Sequence, residues 1–130
     1  PIATVCSSPL LRVQQTKNIV LGNKLVQDVV LDEFRECPGS LWRLFLAAET
    51  RQLTVKEWAL INDFTHRVKI GLEKALQYNA PVLLVAHGGT YWALAHLLQL
   101  QGNRKIGNCV PTHISPEGPE IWKAEPILIN

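Results

Sequence analysis

Three observations predict an α/β domain with a largely parallel sheet in a three-layer helix–sheet–helix arrangement. Short β-leaning runs alternate with helical patterns along most of the chain. The apolar run 82–86, bounded by Pro81 and Gly88, is too short for a helix and reads as a buried strand. It leads directly into His87, the pair Gly88-Gly89 and a helical pattern over 90–100. In open α/β sheets that strand–turn–helix step is where ligands bind.

The elements follow in order. The run 2–6 leans to β. Ser8 suits an N-cap and Pro9 the first helical position, which predicts a helix to Leu21 with Gly22 as its stop. The run 25–34 carries Val26, Val29 and Val30 and reads as an extended segment. Within 35–51, Pro38-Gly39 makes a turn and 41–48 has the pattern of a helix. The clearest helix opens at Thr54, where Thr54 and Glu57 have capping-box spacing and Leu53 can staple against Trp58. Its stripe runs through Trp58, Ile61, Phe64, Val68, Leu72 and Leu76 and ends near Tyr78. Gly102 fits the end of the helix after His87. The runs 109–114 and 121–127 read as closing strands separated by Pro116, Gly118 and Pro119. Pro111 and Pro126 lie inside these runs and demote both to edge positions or irregular segments.

With 130 residues the chain has the length of one domain, and no composition shift or repeat divides it. A hydrophobic fraction of 47% with 18% charged residues is that of a globular protein. No run of about 20 apolar residues suggests a membrane span. The formal charge of +2 is scattered, so no nucleic-acid partner is expected. Cys6, Cys37 and Cys109 lack metal-ligand spacing, and no secretory signal is visible; reduced, buried thiols in the cytoplasm are expected. No metal or other cofactor is expected.

Four positions could carry chemistry. His87 sits at a strand end before a helix N-terminus, a place that favours anions, although a lone histidine there is often a packing residue. Arg12 lies in Cys6-Ser7-Ser8-Pro9-Leu10-Leu11-Arg12, where Ser8 and a first-turn guanidinium could hold phosphate; a solvated arginine is the plainer alternative. Glu33, in Leu31-Asp32-Glu33, is a candidate general acid near such an anion, with Asp32 and Glu36 as local competitors. Asn108-Cys109, before a closing strand, carries little signal by itself.

Taken together in chain order, these segments resemble the histidine phosphatase superfamily, whose best-known branch is the phosphoglycerate mutase-like enzymes. The stretch from Ser7 through Arg12 to Thr16 is similar to the family's Ser-Ser-Pro-Leu-x-Arg-x-x-x-Thr segment. Leu31-Asp32-Glu33 with Gly39, Phe64 with Arg67, Ala86-His87-Gly88-Gly89, and Asn108 follow its later motifs in order. The resemblance implies a phosphoglycerate mutase-like fold and phosphomonoester hydrolysis or phosphoryl transfer through phosphohistidine. His87 and Glu33 would be catalytic: His87 would hydrogen-bond the transferring phosphoryl group and Glu33 would protonate the leaving oxygen. Arg12, Ser8, Gly88 and Gly89 would bind a small phosphorylated substrate.

The family's nucleophile lies in an Arg-His-Gly motif on its first strand. None of His66, His87, His96 and His113 stands between Arg and Gly. The resemblance therefore implies a chain that starts at the family's second strand and is inactive alone. It also implies an unpaired edge at 82–86 that would be filled by dimerisation, strand exchange or another segment. Trp92 stands where many family phosphatases carry Arg. The alternative function is a non-catalytic phospholigand-binding or dimerisation module. His87-Gly88-Gly89 also resembles an oxyanion-hole segment of serine hydrolases, but the chain contains no Gly-x-Ser-x-Gly elbow.

Overall fold

The computed structural model describes residues 1–100, 112–119 and 121–126. Its elements are β1 (Thr4–Ser7), α1 (Leu11–Leu21), β2 (Gln27–Val30), a 3-10 turn (Asp32–Phe34), α2 (Trp42–Ala47), α3 (Val55–Ala75), β3 (Val82–Val85), α4 (Gly88–Leu98), β4 (Thr112–Gly118) and β5 (Ile121–Pro126). This is an α/β fold with a parallel sheet of order β2-β1-β3.

β1 is the central strand and is buried along its whole length. Its register sets Ser7 opposite Val30 of β2 and Val85 of β3, so all three C-terminal ends lie at one edge. The chain leaves β1 through Ser8, whose N–H donates to the Val85 carbonyl at 3.1 Å. β3 is half-buried, not fully buried as its composition predicts. Among the described residues it pairs only with β1, and an outer strand keeps solvent on one side.

The predicted elements are present, with shifted ends. α1 begins at Leu11, and Leu10 is its N-cap, so Ser8 does not cap it. Ser8 Oγ instead accepts the Leu10 N–H at 3.3 Å within the turn before the helix. The helix stops at Gly22 as expected. α3 has the full capping box: the Glu57 N–H donates to Thr54 Oγ1 at 3.1 Å and Glu57 Oε1 accepts the Thr54 N–H at 2.9 Å. Arg51 adds a two-pronged ion pair to Glu57. With the Thr54 N–H, it pulls the Glu57 carboxyl down to about 2. α4 starts at Gly88, two residues earlier than predicted, and closes at Gln99 in the left-handed region. Gly102, Asn108 and Cys109 lie outside the described residues.

The closing segments form an antiparallel β4–β5 hairpin rather than extending the parallel sheet among the described residues. Pro116 does not separate the strands; it lies within β4 opposite Trp122, with a register shift before Gly118. Pro126 pairs at the last position of β5. The hairpin sets Ala124 against Tyr91, Ala95 and Leu100.

The main core lies where α3 and α4 meet the sheet and the 3-10 turn. Ile61, Phe64 and Val68 pack with Cys6, Phe34, Ala93 and Leu94. The middle of the predicted α3 stripe is therefore buried, while its ends are not: Trp58 is 39% and Leu76 59% exposed. Cys6 and Cys37 are free, buried thiols, each pushed up chiefly by burial. No helix among the described residues is long and apolar enough to cross a membrane.

Gly71 lets the 3-10 turn dock on α3. A Cβ there would come within 2.9 Å of both Glu33 Cβ and Phe34 Cε1. Alanine normally gains about 1 kcal/mol over glycine inside a helix. Overpacking costs about 1–3 kcal/mol, and the Phe34 ring that the Cβ would meet is fully buried. Gly71→Ala is expected to lower stability in urea unfolding; a stabilised variant would show that the turn can move away.

Candidate functional site

The parallel register of β1 and β3 brings Ser8 and His87 together at the C-terminal edge of the sheet. His87 is the N-cap of α4, but its side chain makes no cap hydrogen bond. Its Nε2 lies 2.9 Å from Ser8 Oγ, and its Nδ1 lies 3.5 Å from Arg12 Nη2. A guanidinium can only donate, so the Nδ1 lone pair faces Arg12 and the ring proton sits on Nε2, donating to Ser8. Burial is the largest influence on His87 and lowers its pKa. Glu36 opposes this, and Arg12 and Arg67 reinforce it. On balance the surroundings favour the neutral ring.

Arg12, in the first turn of α1, is largely exposed and reaches across to Glu36, with which it forms an ion pair. Arg67 of α3 holds that loop in place. Its Nη2 donates to the carbonyls of Arg35 and Glu36, each at 3.1 Å, while its guanidinium lies 5.0 Å from the centroid of the Phe64 ring. The sequence pair Phe64 and Arg67 therefore acts as one unit, an aromatic platform under a cation that pins the loop carbonyls.

The structure does not bring Glu33 to this cluster. Its carboxylate pairs with Lys74 on α3, and that hydrogen bond is the main reason its pKa is lowered. Glu36 is the carboxylate beside Arg12 and His87. Gly88 has open space where a side chain would stand, so the first turn of α4 is accessible there. Gly89 meets a different need: a Cβ would lie 2.7 Å from Cys37 Sγ, so only glycine lets α4 start against that loop. The other described histidines, His66, His96 and His113, are exposed and lie on α3, α4 and β4.

Sequence reading missed the support behind Ser8. Gln14 Nε2 donates to Ser7 Oγ at 2.9 Å and to the Ser8 carbonyl at 2.7 Å. Its Oε1 accepts from Lys17 Nζ at 2.6 Å, and Lys17 also reaches Asp28 of β2 at 2.8 Å. Lysine has no acceptor, which fixes the amide orientation and turns both Gln14 protons toward the serine turn. The only available signal was a lysine in the middle of α1, and nothing in the sequence marks it as buried. Among the described residues no three His, Cys, Asp or Glu side chains converge as a metal site requires.

An arginine, a serine hydroxyl and a neutral histidine at an accessible helix N-terminus form a constellation suited to an oxyanion. The sequence model of the histidine phosphatase superfamily (branch 1) matches residues 1–118. The chain belongs to the histidine phosphatase superfamily. No curated protein matches it significantly. The superfamily match spans Ser8, Arg12, Glu33, Glu36, Arg67, His87, Gly88 and Gly89. The α/β fold with its parallel sheet agrees with it.

Two expectations follow from this geometry. An anion at Arg12 must compete with the Glu36 carboxylate. An exposed ion pair is worth up to about 1 kcal/mol, so Glu36→Gln is expected to tighten inorganic phosphate binding by about two- to fivefold in a calorimetric titration. Weaker binding would make Glu36 a support for Arg12, not a competitor. Because the folded state lowers the pKa of His87, the unfolded chain binds the proton more readily. The histidine's contribution to stability is complete above its ordinary value of 6.5 and is lost as pH falls below it. His87→Gln should flatten the dependence of unfolding free energy on pH below that value; an unchanged slope would mean that other groups produce it.

Proposed function

We propose that this chain binds the phosphate of a small phosphomonoester between Arg12, Ser8, His87 and the first turn of α4. The convergence of His87 on both Ser8 and Arg12 is the observation that carries this reading. Arg12 would present a planar fork to two phosphate oxygens. The Nε2 proton of His87 and the Ser8 hydroxyl would turn from each other to a third. The free N–H groups at Gly88 and Gly89 would face the remaining charge. Every role is filled by a side chain or backbone group, and no cofactor is invoked.

Superfamily membership supports phosphatase- or mutase-like chemistry. That chemistry runs through a phosphohistidine, and none of the chain's four histidines has the Arg-His-Gly setting of the nucleophile. Residues 1–130 are therefore proposed to bind the ester without turning it over. Glu33 is the carboxylate that the family resemblance marks as the acid. The geometry favours Glu36 for any proton transfer at the bound ester, because Glu36 is the one beside Arg12. Inorganic phosphate should bind in a calorimetric titration. Arg12→Ala and His87→Ala should each weaken it by about tenfold or more, since charge-assisted hydrogen bonds contribute about 1.5–3 kcal/mol. No phosphorus resonance of a phosphohistidine should appear on incubation with a phosphomonoester. Binding that survives both substitutions would place the anion elsewhere, and a phosphohistidine signal would make the chain an enzyme.

A second reading, assembly through β3, has one observation behind it. That strand is wholly apolar and has a neighbour on one side only among the described residues. Homodimerisation or strand exchange through this edge would give a concentration-dependent mass in analytical ultracentrifugation, shifted to monomer by Leu83→Lys. A monomer at all concentrations would remove this reading.

A further inference from the structure

An open cleft of about 1050 Å³ lies between the loop after the 3-10 turn and the flank of α3. It begins at Glu36 and Arg67, the residues that border the Arg12–His87 cluster, and runs along Leu41, Leu44, Leu60 and Phe64. Leu41 and Phe64 are buried beneath it, and Leu60 stands 55% exposed on its wall. Among the described residues most charged groups on the rim already have partners. Arg35 is bound to Asp32, Glu57 to Arg51, and Arg67 to two loop carbonyls. Arg43 lies over the Trp42 ring at 5.4 Å. Asp63 adds an anionic edge.

These features decide what the cleft can recognise. A sugar or another hydroxyl-rich leaving group needs free donors and acceptors, and buried polar groups left unpaired are costly. A leaving group with a second phosphate or carboxylate would find Arg35, Arg43 and Arg67 already engaged by Asp32, the Trp42 ring and two loop carbonyls, and Glu36 and Asp63 beside them. An aromatic or branched apolar group needs only apolar wall, which the leucines and Phe64 supply, and gains from leaving water. Resting on the phosphate-binding reading above, we infer that the cleft holds the alcohol portion of the ester, and that the chain selects phosphomonoesters of bulky apolar alcohols, aromatic ones in particular. Phosphate on Arg12 displaces the Glu36 side chain, and the ester oxygen then points into the cleft that Glu36 borders.

The test compares inorganic phosphate, glycerol 3-phosphate and 1-naphthyl phosphate by calorimetry, with an amide chemical-shift map for each. 1-Naphthyl phosphate should bind at least about tenfold more tightly than the other two and shift the amides of Leu41, Leu44, Leu60 and Phe64. Leu60→Ser, at a position 55% exposed, should reduce that preference by about threefold or more while leaving inorganic phosphate affinity unchanged. Equal affinities for the three probes would overturn the inference and leave phosphate binding standing. A naphthyl preference with shifts elsewhere, or one untouched by Leu60→Ser, would also overturn it. Binding of none of the three would overturn the phosphate reading itself and this inference with it.

Discussion

The parallel pairing of β1 with β3 is the constraint from which the site follows. With Ser7 opposite Val85, both strands end at the same height, and the residues that leave them are neighbours although 79 positions separate Ser8 from His87. A hydroxyl at the end of one strand then meets an imidazole at the end of the other. A one-residue slip would turn every side chain of β3 to the opposite face and break that meeting. The backbone bond from the Ser8 N–H to the Val85 carbonyl ties down the crossing point. Gln14 fixes the serine turn from behind through a hydrogen-bond chain anchored on a buried lysine and Asp28.

The electrostatics of the cluster depend on what remains uncommitted. Burial, against the opposing pull of Glu36 and with Arg12 and Arg67 adding to it, favours the neutral form of His87, which can donate one hydrogen bond and accept another without carrying charge. The ion-pair partner of Arg12 among the described residues is a solvent-exposed carboxylate, a weak commitment that an anion can replace. Lys17 and Lys74, by contrast, are committed to Asp28 and Glu33. The loop that presents Glu36 is itself fastened by Arg67, which makes the wall of the cleft and the border of the anion site one rigid piece.

Much of this was legible in the sequence. Local signals with a direct physical cause survived intact: the Thr54–Glu57 capping box, Gly22 as a helix stop, and the apolar run before His87-Gly88-Gly89. The convergence of Arg12, Ser8 and His87 could be anticipated because strand ends in parallel sheets gather at one edge. Properties set by tertiary neighbours were not legible. Ser8 reads as a helix cap, but its hydroxyl is directed to His87 and to the turn, and the helix starts later. Glu33 and Glu36 are both acidic residues in one short loop. Which of them meets Arg12 depends on Lys74, forty-one residues from Glu33, and on the contact of Gly71 with the 3-10 turn. Composition alone gives β3 as buried, whereas among the described residues it is an outer strand, as the family resemblance and not the local pattern implied.

The most direct measurement is a crystal structure of the chain soaked with tungstate, located by its anomalous signal. The anion is expected within hydrogen-bond reach of Arg12, Ser8 and His87 at the first turn of α4, with Glu36 turned away from Arg12. Tungstate bound elsewhere, or a cluster left unchanged with Glu36 still on Arg12, would contradict the assignment of this strand-end cluster as a phosphate site.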